Sequence, residues 1–521
     1  MMVDINRIHQ PPVPTMPDFI KSHSGQILGV VSCLDRVILM GTIPDICYPE
    51  AMTRLLYGKN VRIFDYTKFV EPMRETIRQN AERVAKEAGC QIEFIRSKNF
   101  RKEERIQKIL ETRGTQPGLV HVFSAMETCT SYQPWHDKAS GKTFLRHDSG
   151  KCLHYYFYFI HEHYGLCYLR VPTWAPFRLQ FYFNGHNLLA NQLRRKGLGF
   201  EMIDNAFVQL DDAPQAQQLA DKIDVKRLHR DLDRIAAQYC PVVSEFASGY
   251  HWSLMQVEYA TDLIFAKQEE LAPLYDHISR TAIHAVKADN VATFLGRKIT
   301  TNCTAEVGSD FHTRVEGTRI KHHLGSASVK MYDKFGRVLR IETTTSDVSH
   351  FKHHRTVEHR DGTSTIQLAP LKKSIYSLPA LIGLMRASND RYLDFLTNLD
   401  DPTVEIKKLE KISRPAEDEG GRRHRGLNLF HGDDLDLFQI IVRGEFNITG
   451  FQSRDLRKHL PSKSSSQIGR MLKRLRVHGL LKKIGCRYKY YLTQLGRTVT
   501  MTALKLREIV IIPALRPADA Q

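Results

Sequence analysis

Acidic residues occur inside or beside several apolar, strand-like stretches of the chain: Asp35 within "SCLDRVIL", and then Asp65, Glu127 and Asp204. Carboxylates that converge from neighbouring strands can hold Mg²⁺ or Mn²⁺, because hard cations prefer oxygen ligands and stabilise the leaving oxygen in phosphoryl transfer. We therefore take Asp35, Glu127 and Asp204 as candidate catalytic residues of a metal-dependent nuclease, strand transferase or replication initiator. Arg36 directly follows Asp35, so a structural ion pair is the alternative.

A second metal candidate is the histidine pair His161 and His163 in "HYYFYFIHEHYG". Alternation along a strand places both imidazoles on one face, where they could bind a divalent metal. With a nearby tyrosine the pair resembles the metal-binding histidines of rolling-circle replication initiators. Those proteins have a bulky apolar residue between the histidines, whereas this chain has Glu162. Solvated polar residues at a turn are the alternative interpretation.

A third constellation lies in "SVKMYDKFGRVLRIETTT". Alternation places Lys330, Tyr332 and Lys334 on one strand face, and Arg340 and Glu342 on one face of the next strand. The segment resembles a strand pair of phage and plasmid replication proteins, in which a Tyr-x-Lys strand precedes an "LR-E" strand, within residues 250–350. The resemblance implies a catalytic Tyr332 and nucleic-acid contacts from Lys330 and Lys334. An exposed sheet face with cross-strand ion pairs is the alternative.

The positive charge of the chain is concentrated near its C-terminus. The net charge is +18, and residues 451–507 carry fifteen Lys or Arg residues against the single acid Asp455. The 450 residues before them contribute only +5. Such a local excess is the footprint of a module that binds a polyanion, although a solvated basic surface has the same composition.

This basic segment has the pattern of three helices and a strand pair. The stretches "DDLDLFQIIVRGE", "TGFQSRDLRKHL" and "SSSQIGRMLKRLRV" have helical spacing, "LLKKI" and "YKYYLT" are strand-like, and "TQLGR" opens a closing helix. The order resembles winged-helix proteins, including MarR-like regulators. That resemblance implies a recognition helix in the major groove of double-stranded DNA and a wing on the backbone.

The expected nucleic-acid contacts follow from that placement. Base contacts are predicted for the N-terminal part of the third helix, with its basic residues on the outer face: Ser465, Ser466, Gln467, Arg470, Lys473 and Arg474. Backbone contacts are predicted for the second helix and the wing: Arg454, Lys458, Lys482, Lys483, Arg487 and Lys489. A protein-docking module with coincidental charge is the alternative.

The surrounding elements predict a multidomain protein of the α+β or α/β class, with a large mixed N-terminal body followed by a C-terminal winged-helix domain. Strands and helices alternate in an α/β domain over residues 1–140. Long aromatic strands indicate a mixed α+β domain with an antiparallel sheet over 141–400. A Gly-rich, charged linker covers 401–429, and the winged helix covers 430–512.

The composition and motif content of the chain argue against several classes of protein. We expect a cytoplasmic protein with no membrane association, since no apolar run approaches about 20 residues and the N-terminus lacks a secretory pattern. The nine cysteines include no C-x-x-C pair, which favours reduced thiols. Phosphate-binding P-loop, dinucleotide, zinc-protease and serine-hydrolase motifs are absent from the sequence.

Three functions stay open at this point. The first is a DNA-processing protein in the replication or transposition of a mobile element, with the body carrying the chemistry and the winged helix binding DNA. The second is a transcriptional regulator without enzymatic activity. The third is a structural RNA-binding protein whose aromatic sheet stacks unpaired bases. A homodimer would suit a winged helix that reads a palindrome.

Overall fold

The computed structural model describes residues 20, 23–297, 307–314, 317–398, 410–428, 431–443, 446, 450–484, 489–507 and 512. The chain falls into two compact units, here called unit 1 (Met1–Asn398) and unit 2 (Leu399–Gln521).

Unit 1 is built on strands whose apolar residues recur at every second position. Its strands are β1 Ile27–Thr42, β2 Ile92–Phe94, β3 Gly118–Asp137, β4 Lys142–His161, β5 Gly165–Pro172, β6 Leu179–Asn184, β7 Phe200–Ile203, β8 Ala206–Leu210, β9 His251–Phe265, β10 Val307–Arg314, β11 Gly317–Leu324, β12 Ala327–Lys334, β13 Val338–Thr345, β14 Lys352–Glu358 and β15 Ser364–Pro370. Eleven of them form one sheet in the order β10-β11-β12-β13-β9-β1-β6-β5-β4-β3-β2. Its neighbours pair antiparallel except β2 and β3, which are parallel.

The helices of unit 1 are α1 Pro49–Gly58, α2 Tyr66–Glu87, α3 Lys102–Arg113, α4 Gly185–Lys196, α5 Ala213–Ala220, α6 Val225–Tyr239, α7 Gln268–Ala285, α8 Ala288–Phe294 and α9 Leu378–Asn398. Helices α1, α2 and α6 to α9 share the main apolar core with one sheet face, here called the core face, where Val37, Phe181, Leu263 and Ile341 are buried. The other face, here called the polar face, is covered in part by α4, α5 and the β7–β8 hairpin around Cys33 and Ile264.

Alternation along single strands explains why one face is apolar and the other carries chemistry. In β9, Val257, Tyr259 and Leu263 point to the core face, and the intervening Glu258 and Asp262 point to the polar face. The same alternation in β13 buries Leu339 and Ile341 on one side and leaves Arg340 and Glu342 on the other. A single-residue slip in register would therefore reverse both sets.

The structure is a mixed α+β protein with a large mixed sheet, as the sequence predicted at that level. It differs from the predicted division at residue 140, because that position lies in the turn of the β3–β4 hairpin, whose strands pair from Gly118–Ile160 to Asp137–Lys142. Strands from both sides of residue 140 belong to one sheet. The stretch "VRIFDY" contains a 3₁₀ turn at Ile63–Asp65 that leads into α2.

Unit 2 contains β16 Ala416–Glu417, β17 Arg423–His424, α10 Gly432–Ile441, α11 Ser453–His459, α12 Ser465–Val477, β18 Leu481–Ile484, β19 Lys489–Leu492 and α13 Gln494–Lys505. Its core joins Phe438, Leu456, Leu472 and Leu481 from successive elements. The predicted linker 401–429 is only partly described, and there β16 and β17 form a hairpin. Ile412 and Leu427 flank that hairpin and are buried in the same core, so residues 410–428 belong to the folded unit.

Among the helices that the structure describes, none has the length and apolar character needed to cross a membrane.

Candidate functional site

A buried ion-pair network links β1, β9 and β13 on the polar face of the sheet. Arg340 of β13 is fully buried and binds Asp262 of β9 through two hydrogen bonds, Nε to Oδ1 at 2.6 Å and Nη2 to Oδ2 at 2.7 Å. Its Nη1 donates to Asp35 Oδ2 of β1 at 3.3 Å. Burial disfavours the charged form of Asp262, but Arg340 outweighs it and lowers the pKa of that carboxyl. The buried guanidinium is therefore held between two carboxylates.

His186, in the first turn of α4, lies between the same two carboxylates. Its Nδ1 is 3.2 Å from Asp35 Oδ1, and its Nε2 is 3.3 Å from Asp262 Oδ2. Burial opposes protonation of the imidazole, as does Arg340, whose Nη2 is 3.0 Å from Nε2. Cys33 and the hydrogen bonds to Asp262 and Asp35 outweigh both and raise the pKa of His186 above its usual value. Asn184 positions this residue, because its side chain caps α4 and donates to Asp35 Oδ1 at 2.7 Å.

Asp35 is held by more partners than a strand carboxylate usually has. Asn205, in the turn between β7 and β8, donates to its Oδ1 at 2.8 Å. Burial would raise the pKa of Asp35, but His186, Arg340 and the amide donors together hold it far below its usual value. The register of β1 against β9 shifts between Leu34 and Val37, so Asp35 and Arg36 lie at an irregular step. Arg36 lies over the Tyr182 ring, and Arg340 forms the ion pair with Asp35.

A second polar group adjoins this network on β12 and β13. Lys330 pairs directly with Glu342 across the two strands, with Nζ 2.6 Å from Oε1. The Tyr332 hydroxyl donates to Glu342 Oε2 at 2.7 Å. Lys330 Nζ is also 3.7 Å from Oε1 of Glu258 on β9. One glutamate thus accepts from both an ammonium and a phenol.

Three carboxylates converge where these groups meet. Asp35, Glu258 and Glu342 each offer a ligand oxygen, and all three oxygens lie within 4.8 Å of one another. Burial and the neighbouring Glu342 raise the pKa of Glu258 to about 7. Such mutual repulsion favours either a shared proton or a bound cation. Oxygen donors at this spacing fit Mg²⁺ or Mn²⁺. The Lys330 ammonium is the positive charge that the protein itself supplies to these carboxylates.

The predicted acids are therefore only partly brought together. Asp35 is in the cluster. Glu127 lies on β3, where it accepts from the Tyr156 hydroxyl at 2.6 Å and from Arg170 Nη2 at 2.6 Å. Asp204 is in the β7–β8 turn, with an exposed carboxylate 3.3 Å from Lys334 Nζ. Glu127 and Asp204 do not join Asp35 at the cluster because sheet order, which the sequence did not disclose, places β9 and β13 beside β1.

The predicted histidine pair lies at the end of β4 and faces other partners. The rings of His161 and His163 are 5.8 Å apart, and the backbone N–H of His163 donates to His161 Nδ1. The guanidinium of Arg195 contacts His163 Nδ1, a nitrogen that a metal would need. Burial, followed by that arginine, lowers the pKa of His163. This geometry favours a structural pair over a metal site.

Sequence reasoning missed Glu258 and Asp262 as site residues. They stand four positions apart on one face of "HWSLMQVEYATDLIF", an otherwise largely apolar strand, and that spacing was the available signal. Their partners Asp35 and Arg340 come from distant segments, so no local pattern could join them.

In unit 2 the predicted contact residues separate into exposed and buried sets. Ser464 caps α12 through its hydroxyl, and the next turn leaves Ser465, Ser466, Gln467 and Arg470 exposed. Lys473 is half-buried and pairs with Asp418. Arg474, predicted on the outer face, is instead buried against Asp434 of α10. Its partner on α10 and not helical spacing places it there, because the Asp434 carboxylate accepts a hydrogen bond from the Arg474 guanidinium.

The remaining predicted contacts lie on α11 and the β18–β19 hairpin. Arg454, Lys458 and Lys482 are exposed, and Lys483 and Lys489 are half-buried. Arg487 lies outside the described residues.

Comparison with known proteins adds little to this geometry. No protein-family model matches the chain, and no curated protein matches it. Among solved structures, a rolling circle replication initiator protein from Geobacillus stearothermophilus is similar over 61% of this chain and 75% of its own, at 10% identity and a TM-score of 0.19. A likeness this weak carries no argument about fold or function.

Proposed function

We propose that the protein binds double-stranded DNA and processes it, in the replication or transposition of a mobile element. The observation that carries the proposal is the convergence of Asp35, Glu258 and Glu342 beside Tyr332 and Lys330 on one sheet face. Carboxylates, a phenol and an ammonium in contact are groups that can serve as base, nucleophile and acid in phosphodiester transfer.

In the proposed reaction Tyr332 is the nucleophile and Glu342 is its base. Burial and the adjacent Glu342 carboxylate raise the pKa of Tyr332, so the phenol stays protonated until that base accepts its proton. The phenolic oxygen then attacks phosphorus, one O–P bond forms, and the P–O bond to the departing deoxyribose oxygen breaks. Lys330, whose Nζ is 2.6 Å from Glu342, would return a proton to that oxygen.

Asp35, Glu258 and Glu342 would hold a Mg²⁺ or Mn²⁺ ion. When bound, such an ion supplies charge neutralisation at the phosphate. The Arg340 network holds Asp35 in place, and Arg340 and Lys334 add positive charge beside the site.

Unit 2 is proposed as a MarR-like winged helix that delivers the body to DNA as a homodimer. Helix α12 would enter the major groove with Ser465, Ser466, Gln467 and Arg470 toward base edges. Arg454, Lys458, Lys482, Lys483 and Lys489 would contact phosphates. The support is the exposure of the first set and the local excess of basic residues.

The test incubates the full chain with labelled single- and double-stranded DNA in Mg²⁺, Mn²⁺ or EDTA. Wild-type protein should cleave or join DNA and form an adduct that survives SDS only when a metal is present. Tyr332→Phe should form no adduct, and Tyr376→Phe, which removes an exposed hydroxyl bonded to His229, should behave as wild type. An absence of cleavage, joining and adduct on every substrate would refute the enzymatic proposal.

One observation favours a second candidate, a transcriptional regulator without chemistry. Lys330 and Tyr332 already satisfy both oxygens of Glu342, as they would in a purely structural network. Tight binding to particular duplex sequences, with no strand breakage in any metal, would support this candidate.

A further inference from the structure

The β14–β15 hairpin forms a two-stranded sheet separate from the main sheet of unit 1. Its seven pairs run from Lys352–Pro370 to Glu358–Ser364. At about 3.4 Å per residue each strand is about 24 Å long. Nearly all of its side chains are exposed or half-buried, on both faces. The hairpin, here called the arm, therefore extends into solvent rather than completing the core.

The base of the arm is fixed to unit 1. Leu371 and Phe351 are buried in the main core, and the backbone N–H of Leu371 donates to the Phe351 carbonyl at 2.9 Å. Just beyond, Ser374 forms an isolated bridge with Ser253 of β9. A two-stranded hairpin is at best marginally stable alone in water, so an anchored but uncovered hairpin needs a reason to be exposed.

Two features of the arm indicate what covers it. First, Ile366 and Leu368 are 65% and 57% exposed. Their i, i+2 spacing in β15 places them on one face of the hairpin, where their cross-strand neighbours are Thr356 and His354. Second, the arm itself carries three basic residues, Lys352, Arg355 and Arg360, against two acids, with three histidines. Lys372 and Lys373 follow at its base.

We propose that the arm is a second DNA-contacting element, which lies in a groove of duplex DNA with its basic residues toward phosphates and Ile366 and Leu368 toward the base edges. The major groove, about 12 Å wide, admits a two-stranded ribbon, and aliphatic side chains there contact thymine methyl groups. Charge complementarity favours this polyanion over a second copy of the arm, which would carry the same basic residues. The arm belongs to unit 1, so this contact is additional to the one proposed for unit 2.

The test measures binding of the full chain to a labelled 30-base-pair mixed-sequence duplex by fluorescence anisotropy between 50 and 200 mM salt. Lys352→Gln with Arg360→Gln should reduce the slope of log affinity against log salt by about 2, since each phosphate contact contributes about 0.9. Ile366→Ser with Leu368→Ser should weaken binding severalfold and leave the slope unchanged. Lys86→Gln and Phe64→Ser, exposed residues on and before α2, are the matched controls and should bind as wild type.

The outcomes separate this inference from the proposed function. If Lys482→Gln with Lys489→Gln in unit 2 weakens binding while both arm variants bind as wild type, the arm inference is wrong and DNA binding by unit 2 stands. If wild-type protein binds no duplex, both are wrong. If light scattering shows that Ile366→Ser with Leu368→Ser converts a dimer to a monomer without changing DNA affinity, the arm is a self-association surface and the inference is wrong.

Discussion

At the scale of single residues, the protein handles buried ionisable groups in two ways. Arg340 stays charged because Asp262 and Asp35 surround it with carboxylate oxygens, and removing either acid would leave charge uncompensated in the core. The buried histidines His322 and His350 instead stay neutral, since burial lowers the pKa of each to about 4. The ion pairs of Arg340 hold the side chains of the candidate site in place. The neutral buried histidines make the folded state less stable at low pH.

The histidines lead to a pH prediction for stability. Burial, then His323, holds the pKa of His322 at about 4, whereas an unfolded histidine titrates near 6.5. The unfolded chain therefore binds more protons as pH falls from 6.5 to 4, and stability is lost over that window. Urea unfolding of wild type and His322→Gln should show that the wild type loses up to about 3 kcal/mol more than the variant between pH 7 and pH 4. Equal losses would contradict the assignment.

At the scale of elements, α12 shows how one helix divides its arginines between two roles. Arg470 is exposed in the half that is proposed to meet DNA, and Arg474, one turn later, is buried against Asp434. Both residues are arginines of the same helix and carry the same charge. They are only four positions apart, so the packing around each side chain, and not the composition of the helix, decides which arginine is available to a ligand.

This pair gives the second prediction. Arg470→Ala should weaken duplex binding about tenfold and change the free energy of unfolding by less than about 0.5 kcal/mol. Arg474→Ala should destabilise unit 2 by about 3 kcal/mol, because the buried Asp434 loses its close ion pair and keeps only the Asn428 N–H and the more distant Arg425. Anisotropy and chemical denaturation measure the two effects. A stable Arg474→Ala protein with weakened DNA binding would reverse the roles assigned here.

The same elements show what the sequence could predict. Period-two and helical patterns located the long strands, the amphipathic helices and the order of elements in unit 2, because those patterns are local. They also placed Lys330 with Tyr332, and Arg340 with Glu342. These patterns missed Glu258 as a partner of Asp35, because β1 and β9 are far apart in the sequence. Thr42 of β1, for example, pairs with His251 of β9, which lies 209 residues later, and no local signal encodes that pairing.

At the scale of the whole molecule, the candidate site depends on the order of the central strands. Strands β12, β13, β9 and β1 are consecutive neighbours, and each contributes a charged or phenolic side chain to the polar face. These strands come from residues 27 to 345, so the cluster exists only when unit 1 is folded. The helices on the core face support the sheet, and α4, α5 and the β7–β8 hairpin cover part of the polar face.

Mn²⁺ binding tests the claim that Asp35, Glu258 and Glu342 form a divalent-cation site beside Tyr332. Titration calorimetry of the full chain should show one Mn²⁺ site, weakened at least tenfold in Glu342→Gln, a variant that keeps one acceptor oxygen for Lys330 and places an amide N–H₂ where the Tyr332 hydroxyl can accept. Glu127→Gln, which removes a carboxylate outside the cluster, should bind Mn²⁺ as wild type does. Equal binding by wild type and Glu342→Gln, with both proteins folded, would contradict the claim.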